Sequence, residues 1–164
     1  MTVVVRPLEP ADAKAAAAAD REAMQTFWDA GIPLPDDSDV PLEGDLMLVG
    51  VLDGEVVGVS CIDRHDDVWH LAEMAVDPDA QRRGVGTAML LDVVARASAA
   101  GAAAVTLTTF RDVPFNGPFY ARHGFEPVDE SLHPWLAEAR QHERSEGIDV
   151  LPRIAMRRLL GGRP

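Results

Sequence analysis

The chain has only one cysteine and one tyrosine among its 164 residues. A single cysteine excludes an internal disulfide and is typical of proteins from a reducing compartment. Cys61 lies in the apolar run 56–62, where a buried structural thiol is favoured over a catalytic nucleophile. A chain of this length can bury a core large enough to fold without covalent cross-links.

Basic residues are also scarce. The sequence carries 15 Lys and Arg against 27 Asp and Glu, a net charge of −12. Nucleic acids and anionic membranes select for clustered positive charge, so the composition argues against both as partners. The excess of acidic residues is compatible with a cationic substrate.

Long apolar runs are missing as well. No stretch approaches the roughly 20 residues that cross a bilayer, and residues 1–10 lack the basic and apolar regions of a signal peptide. We therefore expect a cytoplasmic protein whose residues 1–164 form a single domain. The sequence leaves the oligomeric state open, with a homodimer as one candidate.

Hydrophobic periodicity predicts alternating strands and helices. Two helices are expected between Ala11 and Ala30, with a break near Asp20, followed by a proline-rich loop, residues 31–44. Asp53-Gly54 between two apolar runs indicates a β-hairpin. An apolar stripe beginning at Val85 indicates a long helix, a shorter helix is expected over 115–122, and residues 129–149 are expected to be partly helical. The predicted strands are 2–8, 46–52, 55–64, 68–76, 105–110 and 150–159.

The turn Gln81-Arg82-Arg83-Gly84-Val85-Gly86 separates a predicted strand from a predicted helix. The first turn of a helix leaves several backbone amides without partners, and together with the helix dipole these amides form an anion site. Glycines without Cβ atoms let a phosphate approach the main chain, and arginines donate to phosphate oxygens. The turn is therefore a candidate pyrophosphate site, with a surface turn as the alternative.

A second cluster, Pro114 to Phe125, contains Asn116, Tyr120 and a Gly-Phe pair. Together with Met74-Ala75-Val76 and the turn 81–86, it resembles the GCN5-related N-acetyltransferase (GNAT) superfamily in order and spacing. The resemblance implies an α/β (α+β) fold. Its mixed, mostly antiparallel sheet of about seven strands would be splayed between strands 4 and 5 and flanked by about four helices.

The resemblance also implies acetyl-CoA as acyl donor, with direct transfer to an amine and no role for Cys61. Backbone groups of Met74, Ala75 and Val76 would pair with the pantetheine arm of the cofactor. The pyrophosphate would be held by the loop Gln81, Arg82, Arg83, Gly84, Val85, Gly86 and Thr87.

By the same resemblance, Tyr120 is the candidate general acid, and a core aromatic is the alternative. His70 and Glu73 are candidates for the general base, the latter through water, and water itself or another residue stays open. Asn116 would bind the cofactor arm or simply cap its helix; the family's asparagine often lies earlier, at the position of Val113. The five histidines lack paired ligand spacing, so no metal is expected.

The acceptor is expected to be a small-molecule amine. Trp28 and Trp135 are candidate walls of its site, with a core role as the alternative for Trp135. The nearby acids Asp129, Glu130 and Glu138 favour a cationic acceptor. The alternatives are acetylation of a protein lysine or N-terminus, and a non-catalytic acyl-CoA sensor.

Overall fold

A computed structural model describes residues 2–37 and 39–161. Its strands are β1 (Val3–Pro7), β2 (Leu46–Leu52), β3 (Glu55–His65), β4 (Val68–Val76), β5 (Ala104–Phe110), β6 (Glu126–Val128) and β7 (Arg153–Leu159). Its α-helices are α1 (Ala13–Asp29), α2 (Val85–Ala99), α3 (Gly117–Arg122) and α4 (Pro134–Ser145). The strands form one sheet in the order β1-β2-β3-β4-β5-β7-β6. This mixed, mostly antiparallel sheet confirms the predicted fold class.

The sheet opens between its two central strands. Strand β4 runs parallel to β5, but the two pair only through Val68–Ala104, Trp69–Val105 and His70–Thr106. Beyond His70 the strands diverge while β4 continues to pair with β3 on its other side. We call this opening the split. It confirms the predicted splay between the fourth and fifth strands.

Helices α2 and α3 cover one face of the sheet. The predicted apolar stripe of α2 is buried in full, from Val85 to Ala97, and Tyr120 of α3 joins the same core cluster. A Cβ atom at Gly50 or Gly58 would come within 2.7 Å of the Met89 sulfur. Glycine at these two positions therefore lets α2 lie close to β2 and β3.

Helices α1 and α4 cover the opposite face. Ala16 of α1 packs among residues of β2, β3 and β4 that include Cys61. On α4, Trp135 donates its indole N–H to the Thr106 hydroxyl at 3.1 Å. Because successive strand residues point to opposite faces, Thr106 and Thr108 face α4, whereas Leu107 joins the core under α2.

Three details of the predicted pattern are wrong. The segment 11–30 holds one continuous helix, α1, since no Gly or Pro interrupts its alanine-rich interior. Helix α3 begins at Gly117 and not at residue 115, and β7 begins at Arg153, after Pro152. Strand β6 supplies the seventh strand of the expected sheet, for which no residue range was predicted. No helix within the described residues is both long and apolar enough to cross a membrane.

Candidate functional site

The edge of β4 that faces the split carries the predicted pantetheine-binding residues. Met74, Ala75 and Val76 pair with Ser60, Val59 and Gly58 of β3, and β5 does not reach them on the other side. Backbone groups on such an edge are free to bind an extended ligand as a strand would.

The turn between β4 and α2 has the geometry of an anion site. Gly84 occupies the N-cap of α2 with a φ of +79°, and Arg82 also has a positive φ, of 64°. The amides of Val85, Gly86 and Thr87 form the first turn of the helix, where intrahelical partners are missing. A Cβ at Gly86 would meet only the Val76 side chain, at 3.9 Å, so the space above this glycine is open.

The side chains of the turn divide into two groups. Arg82 and Arg83 are exposed, so their guanidinium groups are free to reach a phosphate. The side-chain amide of Gln81 instead donates to the hydroxyl of Thr26 on α1, at 3.0 Å. Gln81 thereby ties the turn to the helix on the opposite face of the sheet.

Tyr120 is buried, with 8% of its surface exposed. Burial and the nearby Glu73 carboxylate raise the pKa of its hydroxyl, while Arg153 acts in the opposite direction. The phenol is therefore a proton donor throughout the neutral range. Its ring also packs edge-on against Phe125, at 5.7 Å between centroids, so Tyr120 contributes to the core whether or not it acts as an acid.

Glu73 is half-buried on β4, at the split. Burial, followed by the charges of Asp20 and Asp37, raises the pKa of its carboxyl to about 8. Asp20 belongs to α1 and its own pKa is raised to about 6 by burial and by Asp37. Three carboxyl groups from different parts of the chain thus act on one another beside the split.

His70, the other predicted base, lies under α4. Its ring is 6% exposed and its Nδ1 lies 2.9 Å from the Thr106 hydroxyl. Burial, with a smaller contribution from His65, lowers its pKa to about 4. The same hydroxyl accepts from Trp135, whose indole is stacked between the rings of His65 and His133, each at 4.2 Å. His70 and Trp135 therefore belong to one packed layer between α4 and the sheet.

Asn116 occupies the N-cap of α3, where its carbonyl accepts from the Tyr120 amide at 3.0 Å. Its side chain makes no capping hydrogen bond, and its buried Oδ1 has no partner among the described residues. A buried acceptor of this kind suits an N–H donor of a bound cofactor arm. Val113, the alternative position, is an apolar side chain buried in a separate core cluster.

Cys61 is 1% exposed, and burial together with the Glu73 charge raises its pKa to about 12. Its placement in the core confirms the expected buried thiol, and an unionised thiol is a poor nucleophile. Within the described residues, no three His, Cys, Asp or Glu side chains gather in an arrangement that could hold a metal ion.

The three acids predicted beside the acceptor site are engaged elsewhere or exposed. Asp129 caps the short helix that follows it by accepting from the Ser131 amide at 2.8 Å, and Glu130 pairs with Arg144 at 2.9 Å. Neither these acids nor exposed Glu138 are among the groups that act on Glu73. Asp20 and Arg153, which do act on it, were missed because no local motif marks them.

An open strand edge, an amide-rich turn and a tyrosine beside a carboxyl group are the features expected of a site for acyl transfer from a phosphorylated thioester cofactor. The acetyltransferase (GNAT) family matches residues 16–125 of the chain. The chain belongs to this family and is an acetyl-CoA-dependent N-acetyltransferase. The residues at the split fit that donor: a free strand edge, an unpartnered buried acceptor at Asn116 and open space over Gly86.

Solved structures share the fold at low identity. The ribosomal-protein-S18-alanine N-acetyltransferase from Escherichia coli has a TM-score of 0.69 and 19% identity, covering 99% of this chain and 97% of that one. The PaiA N-acetyltransferase from Thermoplasma acidophilum, in complex with coenzyme A, has a TM-score of 0.72 and 14% identity, covering 97% and 99%. A GNAT acetyltransferase from Brucella melitensis, in complex with acetyl-CoA, has a TM-score of 0.56 and 20% identity, covering 76% and 83%.

Proposed function

We propose that the enzyme acetylates the primary amine of a small cationic molecule, with Glu73 as general base and Tyr120 as general acid. The observation that carries this proposal is the grouping of Glu73 with Tyr120 at the split, with Asp20 and Asp37 acting on the same carboxyl group.

In this proposal acetyl-CoA lies along the split. The free edge of 74–76 pairs with the pantetheine arm, Asn116 accepts a hydrogen bond from it, and amides of residues 82–87 hold the pyrophosphate. Arg82 and Arg83 add charge to this anion site, whereas Gln81 positions the turn through Thr26. Bound acetyl-CoA supplies the thioester that the amine attacks.

A protonated amine has no lone pair for attack, so the site must first remove a proton. A carboxyl group with a pKa of about 8 is a stronger base than an ordinary glutamate and suits this transfer near neutral pH. The carboxylate of Glu73 accepts the proton directly or through water. His70 is a weaker base at its pKa of about 4, and its Nδ1 is engaged with Thr106.

Transfer forms the C–N bond and breaks the C–S bond, which leaves a thiolate. Tyr120 donates its proton to that sulfur. The three carboxyl groups near the split favour an ammonium or a second cationic group over a carboxylate on the acceptor.

The test is thiol release from acetyl-CoA with an acceptor panel of a polyamine, an arylalkylamine, a lysine-containing peptide and glutamate. We expect the first two to give the highest kcat/KM, and Glu73→Gln to lower it by about 10²-fold or more. Glu55→Gln, an exposed glutamate on β3, is the matched control and should match the wild type. Preference for the peptide or glutamate would overturn the acceptor class. Coenzyme A binding without thiol release from any amine would indicate a sensor.

A further inference from the structure

Arg153 is a largely buried cation at the start of β7. Its side chain is 12% exposed, and its Nη2 lies 3.1 Å from a carboxylate oxygen of Glu143. Its guanidinium carbon lies 4.5 Å from the centre of the Phe110 ring. Its Nε is buried and has no partner among the described residues. The Nη2 of the guanidinium group is therefore held by an ion pair, whereas the N–H of its Nε has no hydrogen-bond acceptor among the described residues.

Glu143 anchors this arginine to α4. Its second oxygen accepts from Arg140 at 2.9 Å, and the oxygen facing Arg153 also accepts from the Thr108 hydroxyl at 2.7 Å. Arg140 in turn contacts Asp149 at 3.3 Å. Buried ion pairs of this kind often stabilise a fold no better than apolar side chains would. Stability alone therefore does not account for a charged cluster at this place.

The register of the sheet places Arg153 beside the split. Arg153 pairs with Phe110 at the end of β5, which is the strand across the split from Glu73. The Phe110 ring lies on the face covered by α1, 5.8 Å from Phe27. The charge of Arg153 reaches both reacting groups, because it lowers the pKa of Glu73 and of Tyr120.

We propose that Arg153, held by Glu143, is a positioning residue that supplies positive charge to the split on the face of the proposed base Glu73. This inference rests on the proposed role of Glu73 as general base. Without such a cation, the acids that attract a cationic acceptor would hold the proton on the base still more strongly.

The groups that face Glu73 set the direction of the effect. Carboxylates raise its pKa and Arg153 lowers it, so removal of the arginine moves the titration of Glu73 to higher pH. The groups around Glu73 are Asp20 on α1, Asp37 in the loop after α1, Cys61 on β3, Tyr120 on α3 and Arg153 on β7.

The experiment measures kcat/KM for the best cationic amine from about pH 6 to about pH 10, about two units on either side of the Glu73 pKa of about 8. In Arg153→Met the midpoint of the low-pH limb should rise by about one unit. The plateau value of kcat/KM at high pH should be close to that of the wild type in Arg153→Met. Arg153→Lys retains the charge and should leave the midpoint near that of the wild type.

Arg157→Met is the matched control. It removes the same charge from the same strand four residues away, about 13 Å along β7, so the midpoint should not move. If Arg153→Met does not fold, Arg153→Met with Glu143→Gln removes one positive and one negative charge together, and a smaller upward shift is expected from it, because loss of the Glu143 carboxylate acts in the opposite direction. A uniform loss of rate with an unmoved midpoint, in either variant, would overturn the proposal.

The Glu73→Gln variant distinguishes a failure of the proposed function from a failure of the proposed role of Arg153. Full activity in Glu73→Gln would contradict the proposed function itself. Loss of activity in Glu73→Gln, combined with an unmoved midpoint in Arg153→Met, would contradict only the role of Arg153.

Discussion

Glu73 lies opposite Cys61 in the pairing of β3 with β4, whereas the next residue of β3, Ile62, lies opposite Leu71. Ala72 is therefore the extra residue of a β-bulge. In a regular strand with strict alternation, Glu73 would lie on the same face as Leu71, in the core under α2. The bulge absorbs Ala72 and turns Glu73 toward the face of α1, where the charge of Asp20 acts on it. The bulge thus decides the environment of the proposed base.

Replacement of Tyr120 by phenylalanine should lower kcat by about 10²-fold or more, the usual contribution of a general acid. The ring keeps its contact with Phe125, so the fold and coenzyme A affinity should change little. Steady-state kinetics and a thermal-shift titration with coenzyme A measure the two quantities. Unchanged turnover would leave Tyr120 with a packing role only.

Coenzyme A should stabilise the protein against heat, since a ligand that binds only the native state raises its stability. Gly86→Leu should abolish this stabilisation while leaving the melting temperature of the free protein close to that of the wild type, because a side chain there projects into open space. Gly84 is a less clean position, since its φ of +79° strains any substitution. Ala95→Leu, on an exposed position of α2, is the control and should keep the coenzyme A response. Normal binding by Gly86→Leu would contradict the phosphate site.

Local and long-range features of the site differ in how far the sequence predicts them. The turn 81–86 and the helix of Tyr120 are continuous segments, so their spacing alone predicted strand, turn and helix. Asp20 and Arg153 reach Glu73 only because α1 and β7 fold against the split. The bulge at Ala72 depends on the register with β3, which no periodicity in β4 reveals. The resemblance makes His70 a candidate base from its position in β4, yet its environment depends on α4.

Acid should destabilise the protein through His70. Its pKa is lowered to about 4 in the folded state, so the contribution of the neutral ring is full above the unfolded value near 6.5 and is lost as pH falls toward 4. Between pH 7.5 and pH 5 this one group should remove about 2 kcal/mol from the free energy of unfolding. Urea denaturation of the wild type and His70→Gln at both pH values measures it. An equal loss in the two proteins would assign the acid sensitivity to other groups.

Trp135 was a candidate wall of the acceptor site, but its ring is stacked on His65 and His133 and donates to Thr106. We expect Trp135→Ala to lower the free energy of unfolding by about 2–3 kcal/mol, below the range for fully buried tryptophan because the ring is half-buried. The acceptor and acetyl-CoA KM values should change together or not at all. A selective rise in the acceptor KM would return Trp135 to the acceptor site.

The charge of Asp20 should act on the reaction in two ways that Asp20→Asn can separate. As an anion beside the split it attracts a cationic acceptor, so its removal should raise the acceptor KM by about tenfold, or 1.4 kcal/mol, and leave the acetyl-CoA KM unchanged.

The same charge raises the pKa of Glu73. Asp20→Asn should therefore move the low-pH limb of kcat/KM to lower pH, opposite to the shift expected for Arg153→Met. Glu138→Gln, an exposed acid on α4, removes one negative charge elsewhere and should alter neither quantity. A rise in acceptor KM without the shift would mean that Asp20 binds the acceptor at a distance from the base. A shift of the limb to higher pH would contradict the electrostatic arrangement at the split, because loss of a neighbouring anion cannot make a carboxyl group harder to ionise.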